Sequence, residues 1–399
     1  MISMACNRCF WRTASLYKRP IVRLKTGKDR GIHVSSVRNT IMPAWVIDKY
    51  GKNDVLRFND NMPIPSIKYP NEVIIQVHAA SVNPIDVNMR NGYGAASLNI
   101  SRDPLHLNTP GSEFPITLGR DLSGVVMECG IAVKYFQPGD EVWAAVPPWR
   151  QGTFAEFVVA SANEVSFKPK SLSHTEAASL PYAALTAWAA LVNSCGLKKE
   201  TCPGKRVLII GASGGVGTAA TQLLKAWGAH VTAVCSGGAQ TLMKDLGADD
   251  IIDYTAASLK DQLKTRDLFD AVLDNVGGTS EKLTIPYLKT WSGASYCTLV
   301  TPFLYNNDRL GIADGMMRTG ITLGSNVIKH LYKGIHYRWG FFAPSGPALD
   351  EFGAIVEAGK MQPVVEKVFP FSDIPQAFEK VEAGHARGKT VIQVIDQKQ

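Results

Sequence analysis

A chain of 399 residues suits about two average domains, and its 45% hydrophobic and 19% charged content is that of an ordinary globular protein. The formal charge of +7 does not point to nucleic acid: nine of the 42 basic residues, but only one of the 35 acids, lie in residues 1–40. The remainder is close to neutral, which excludes a polyanion partner recruited by bulk charge.

Residues 1–40 are basic, poor in acids and dotted with Ser and Thr, and they lack the apolar core of a secretory signal. That composition predicts a mitochondrial transit peptide; the bland alternative is a basic tail with no address. The seven cysteines are irregularly spaced, as suits a reducing compartment without a disulfide framework. Cys6 and Cys9 form a C-x-x-C with no partner pair.

From Met42 the texture turns to short β-rich segments divided by Pro- and Gly-bearing turns. Ala44–Lys49, Glu72–Ala80, Gly124–Cys129, Asp140–Val146 and Thr153–Val159 predict a compact, mostly antiparallel barrel over residues 41–175, with 94–115 a loop. After Pro169 the period changes. Ser173 and Glu176 form a capping box, and Pro181–Val192 reads as a helix.

Val207–Ile210 is an apolar strand that runs into Gly211-Ala-Ser-Gly-Gly-Val-Gly217, and Val216–Trp227 follows as a helix. Strand, glycine turn and helix in that order make the first unit of a dinucleotide-binding fold. Its backbone N–H groups must approach a pyrophosphate, so Ser213, Gly214, Gly215, Val216 and Gly217 are candidate cofactor contacts. Strands at His230–Cys235, Asp250–Tyr254, Phe269–Asn275 and Ala294–Val300 alternate with helices, which predicts a doubly wound parallel α/β sheet over 176–344. Ile321–Ser325 is the candidate last strand. Residues 345–399 return to mixed texture, so the catalytic domain is expected from both chain ends with the nucleotide domain inserted.

The second strand of such a fold separates the two nicotinamide cofactors, because an Asp or Glu at its end binds a ribose hydroxyl and repels a 2′-phosphate. Here Ser236 stands at that place, and Tyr254 ends the third strand, so NADPH is expected. Tyr254 reads equally as a half-buried strand-end tyrosine. Asn275 and Leu299 end the next two strands, at the edge where ligands bind. Asn83 and Asp86 lie in a proline turn after a strand, and either reach substrate or hold the turn through backbone bonds. Tyr93 is the nearest phenol and a candidate proton donor.

Asn83-Pro-Ile-Asp86, Gly119-Arg-Asp-Leu-Ser-Gly124, Ala212–Gly217 and Gly247-Ala-Asp-Asp250 resemble the medium-chain dehydrogenase/reductase superfamily, in its zinc-free quinone oxidoreductase branch. Met42–Gly51 and His385-Ala-Arg-Gly-Lys-Thr-Val-Ile392 resemble that branch's reticulon-interacting mitochondrial group of animals. The resemblance implies a Rossmann-type sheet inserted in a GroES-like catalytic domain, hydride transfer from NADPH to a quinone or activated carbonyl, and a link to ubiquinone biosynthesis. It implies that Ser236 and Tyr254 hold the 2′-phosphate, and that His385, Ala386 and Arg387 touch the cofactor; as plain sequence, this last segment reads also as a solvated basic turn. It further implies a homodimer through the nucleotide-domain edge and a reticulon partner. Zinc members use Gly-His-Glu where this chain has Gly119-Arg120-Asp121, so no metal is expected. Two other readings stand beside this one: an NADPH-binding interaction or scaffold protein with little turnover, and an enoyl-thioester reductase. In the latter group the catalytic tyrosine falls where this chain has Gly94.

Overall fold

The computed structural model describes residues 41–102, 111–384 and 386–395. The leader expected over 1–40 and the candidate His385 lie outside them. Among the described residues, eight strands precede the strand that runs into the glycine turn: β1 (Ile41–Ile47), β2 (Arg57–Pro63), β3 (Glu72–Val82), β4 (Ile116–Thr117), β5 (Asp121–Cys129), β6 (Glu141–Ala145), β7 (Phe157–Ser161) and β8 (Val165–Phe167). Then come β9 (Arg206–Ile210), β10 (His230–Cys235), β11 (Asp250–Asp253), β12 (Ala271–Asp274), β13 (Ser295–Thr298) and β14 (His336–Trp339). The last two are β15 (Val365–Pro370) and β16 (Lys389–Gln393).

The first and last groups build the catalytic half. One sheet runs β15-β16-β3-β5-β6-β8, with β7 also on β3, and a second runs β2-β1-β4. All of their pairs are antiparallel except β15 with β16. The expected barrel does not close. β4 is two residues long and cannot carry the ladder onward, so the two sheets meet at an isolated bridge between Ala44 and Ala155. β3 is central and buried over most of its length because its run of Val, Ile and Ala has core on both faces. β2, Arg-Phe-Asn-Asp-Asn-Met-Pro, is mostly exposed and shows no apolar alternation by which to read it as a strand.

The middle strands form a parallel sheet ordered β11-β10-β9-β12-β13-β14, so the order reverses beside β9 and opens a crevice at the carboxyl ends. Alternation along β9 serves two cores. Val207 and Ile209 pack with Leu223, Leu224 and Trp227, whereas Leu208 and Ile210 pack with Val272 and Tyr296 on the other face. Ser173 caps helix His174–Ala177 as a full capping box.

The last strand is not Ile321–Ser325. That stretch lies inside helix Ile312–Leu331, whose inward residues Thr319, Leu323, Val327 and His330 recur at helical spacing, and β14 follows it. The loop expected over 94–115 contains helix Ala95–Arg102. It is tied down by Asp308, which accepts from the Gly94 and Ala96 N–H groups at 2.6 and 3.0 Å.

Candidate active site

At the end of β9 the chain turns through Gly211 at φ +70°, a left-handed backbone suited to glycine, and helix Gly215–Ala226 begins. A Cβ on Gly217 would stand 2.4 Å from the Ala212 carbonyl oxygen, so the helix can lie this close to the turn only with glycine there. Beside the turn is a cavity of about 570 Å3, lined by Gly211, Ser213, Ser236, Tyr254, Ala386 and Arg387 among others. Five of the expected cofactor residues therefore converge on one space. Gly214–Gly217 adjoin it at the helix start, and Asn275 and Leu299 follow the ends of β12 and β13. Asn275 donates to the Ile210 carbonyl at 2.9 Å, while its Oδ1 is buried without a partner, an acceptor open to a ligand. The cavity wall also includes Val276, Thr279, Ser280 and Leu283. Val276 follows Asn275 at the end of β12, but nothing in the local sequence marks the other three, because only the fold brings helix Ser280–Thr284 there.

The turn after β10 carries the electrostatics. Arg387 Nη2 lies 2.5 Å from where a Cβ on Gly238 would stand, so the guanidinium covers the turn that begins at Ser236. Its backbone N–H donates to Glu366 at 3.2 Å, and no described carboxylate pairs with its side chain. An acid is nevertheless close. Asp253, on the next strand, lies beside Gly237, with its carboxylate taken up by Thr255 N–H and Oγ1 and by Gln240 Nε2. These residues fit a dinucleotide: glycine turn for the pyrophosphate, Ser236, Tyr254 and Arg387 for the far ribose.

The catalytic half meets this turn through a buried polar cluster. Asp121 Oδ2 accepts from Ser81 Oγ at 2.5 Å, Asn83 Nδ2 at 2.8 Å and Lys389 Nζ at 3.1 Å, and Oδ1 accepts from the Tyr182 N–H at 2.5 Å. Lys389 also donates to Asn83 Oδ1 at 2.5 Å, and its Cδ packs against Gly215. Asn83 is therefore a member of an internal network rather than a group facing a ligand. Asp86 is likewise no substrate contact. It is fully buried, accepting from the N–H groups of Asn83 and Gly119 at 2.8 and 2.9 Å, with Arg120 Nε 3.6 Å away. The turn-holding alternative describes Asp86, whereas the Asn83 side chain bonds to Asp121 and Lys389.

Arg120 is itself fully buried and donates to the carbonyls of Pro147, Arg150 and Thr117. Burial pushes its pKa down to about 10 and pushes Asp86 up, each against the attraction of the other. Tyr93 is partly buried, and burial raises its phenol, helped by Asp308. Tyr182, which opens helix Pro181–Trp188, stacks on Phe342 with ring centroids 4.3 Å apart. Among the described residues, no group of three or more His, Cys, Asp or Glu is placed to hold a metal.

Comparison with known proteins agrees with this geometry. Residues 69–170 match the alcohol dehydrogenase GroES-like domain, and 246–392 match a family described as zinc-binding dehydrogenase. The mitochondrial NAD(P)H oxidoreductase RTN4IP1 of Mus musculus is 65% identical over 393 residues, 98% of this chain and 97% of that protein. The mitochondrial reticulon-4-interacting protein 1 of Caenorhabditis elegans is 36% identical, over 90% of this chain and 96% of that one. The solved quinone oxidoreductase of Coxiella burnetii has a TM-score of 0.72 at 31% identity, covering 89% of this chain and all of its own. The chain is thus a mitochondrial NAD(P)H oxidoreductase, and it belongs to the medium-chain dehydrogenase/reductase superfamily.

Proposed function

We propose that this enzyme works in the mitochondrial matrix with NADPH and without zinc, reducing a quinone or an activated carbonyl. The observation that carries the cofactor choice is Arg387 over Gly238, beside Ser236 and Tyr254. A guanidinium paired with no described carboxylate favours a 2′-phosphate, and it offsets the nearby Asp253.

NADPH, when bound, supplies a hydride from its nicotinamide ring. The chain's part is to hold and orient. Ser213 to Gly217 would face the pyrophosphate, Ser236, Tyr254, Ala386 and Arg387 the adenosine end, and Asn275 and Leu299 the nicotinamide end. Arg120 fills the turn that carries a zinc ligand in metal-dependent members, so carbonyl polarisation falls to hydrogen-bond donors of the chain.

A role in ubiquinone biosynthesis and a reticulon partner rest on resemblance and on relatives' names. A homodimer through the nucleotide-domain edge has support in the surface. Helix Ile312–Leu331 precedes the edge strand β14 and exposes Met317, Ile321, Ile328 and Leu331, which with Gly324 follow a 4-3-4-3 spacing.

Purified protein should oxidise NADPH with members of a panel of quinones and enones. Tight NADPH binding with no turnover on the panel would favour the scaffold reading, and turnover of crotonyl thioesters alone would favour the enoyl reductase.

A further inference from the structure

We infer that the hydroxyl of Tyr182 is the proton donor of this site, an inference that rests on the hydride-transfer reading above. Tyr182 stands where the two halves of the site meet. Its backbone N–H is fixed by Asp121 Oδ1, and its ring is fixed by the stack on Phe342, interplanar angle 20°. The next residue, Ala183, has its Cβ 3.6 Å from where a side chain on Gly215 would start, so the phenol is anchored beside the cofactor turn. Phe342 in turn follows Gly340, which lies against Leu299 at the expected nicotinamide end. The ring is therefore held on one side by the catalytic half and on the other by the nucleotide half.

Only the hydroxyl is left uncommitted. The side chain is partly exposed, and no described residue hydrogen-bonds its oxygen. Asp86 and Asn83, by contrast, are buried and bonded. Burial and the Asp86 carboxylate push the Tyr182 phenol upward against the pull of Arg120, so the proton stays on at neutral pH until a stronger base forms.

Reduction of a quinone or enone needs a hydride at one atom and a proton at another. The hydride brings both electrons and comes from NADPH, which is oxidised as the substrate is reduced. The Tyr182 O–H bond breaks as an O–H bond forms on the substrate oxygen that has become an oxyanion. The phenolate then recovers its proton from water.

Tyr182→Phe keeps the stack and the bond to Asp121 and removes only an oxygen that the fold does not use. With NADPH and 1,4-naphthoquinone, kcat should fall about 100-fold. The affinity of 1,4-naphthoquinone for the NADP+-loaded protein, read by calorimetry, should fall about 5-fold, with NADP+ affinity unchanged. Unchanged kcat and unchanged quinone affinity would overturn the assignment, and so would a loss on Tyr93→Phe that Tyr182→Phe does not show. If the wild type binds the quinone without reducing it, the hydride-transfer reading fails, and the binding arm still decides. Weaker binding by the variant keeps Tyr182 as the group that meets the substrate oxygen, whereas equal binding removes it. A wild type that binds no quinone overturns both.

Discussion

Lys389 Nζ lies 3.1 Å from Asp121 Oδ2, an ion pair that joins the returning C-terminal strand to the Gly-Arg-Asp turn across 268 residues. The carboxylate is fully buried and the lysine is 7% exposed, so neither charge has water to fall back on. Lys389→Met leaves Asp121 with three donors but no counter-charge. It should cost about 3 kcal/mol, seen as a fall in thermal midpoint on the order of 5 °C. The double variant with Asp121→Asn should recover part of that loss. An unchanged midpoint in Lys389→Met would show that the pair is not a structural joint.

Arg387 covers the turn at Ser236 with no described carboxylate to neutralise it. Arg387→Gln should weaken NADPH binding about 10- to 100-fold, the value of a charge-assisted bond, and leave NADH binding within about 2-fold. The NADPH effect should shrink as salt is raised. Equal losses for both cofactors, read by fluorescence titration, would mean that the arginine does not read the phosphate.

His174 is buried, with Nδ1 2.8 Å from Ser123 Oγ and Nε2 3.5 Å from Glu141. Burial, with the neighbouring His78, pushes its pKa down to about 4 from an ordinary value of 6.5. A folded-state pKa below the unfolded one means that the unfolded chain binds the extra proton first. His174 therefore contributes stability that is present above pH 6.5 and is lost as pH falls toward 4. Stability measured across that window should decline less steeply in His174→Gln than in the wild type. Parallel curves would contradict the assignment.

Ile321 is 64% exposed at the centre of the apolar stripe on helix Ile312–Leu331. Ile321→Lys should turn a dimer into a monomer in light scattering at micromolar concentration, with fold and cofactor binding kept. A wild type that is already monomeric, or a variant that stays dimeric, would rule out this face.

The parts legible in the sequence were those whose physics is local. Strand β9, the glycine turn and the helix after it are contiguous, and each is constrained by its own residues. The capping box at Ser173 and Glu176 is likewise three residues long. What the sequence hid was assembled at a distance. Arg387 reaches Gly238 across 149 positions of chain, and Asp253 brings to the second turn an acid that the turn's own residues lack. Ile321–Ser325 is short and β-like in composition, and only the longer inward stripe from Thr319 to His330 shows it to be helix. Asn83 and Asp86 were open between two roles because a turn residue and a ligand-facing residue look alike until burial is known.

The proposed reaction is delivery of hydride from NADPH, in preference to NADH, to a quinone or activated carbonyl. The direct measurement is the steady-state rate of cofactor oxidation at 340 nm by wild-type protein with 1,4-naphthoquinone, comparing kcat/KM for the two cofactors. Turnover with NADPH should be favoured over NADH by at least about 10-fold, the value of one charge-assisted contact. Equal use of both cofactors, or no oxidation of either, would contradict it.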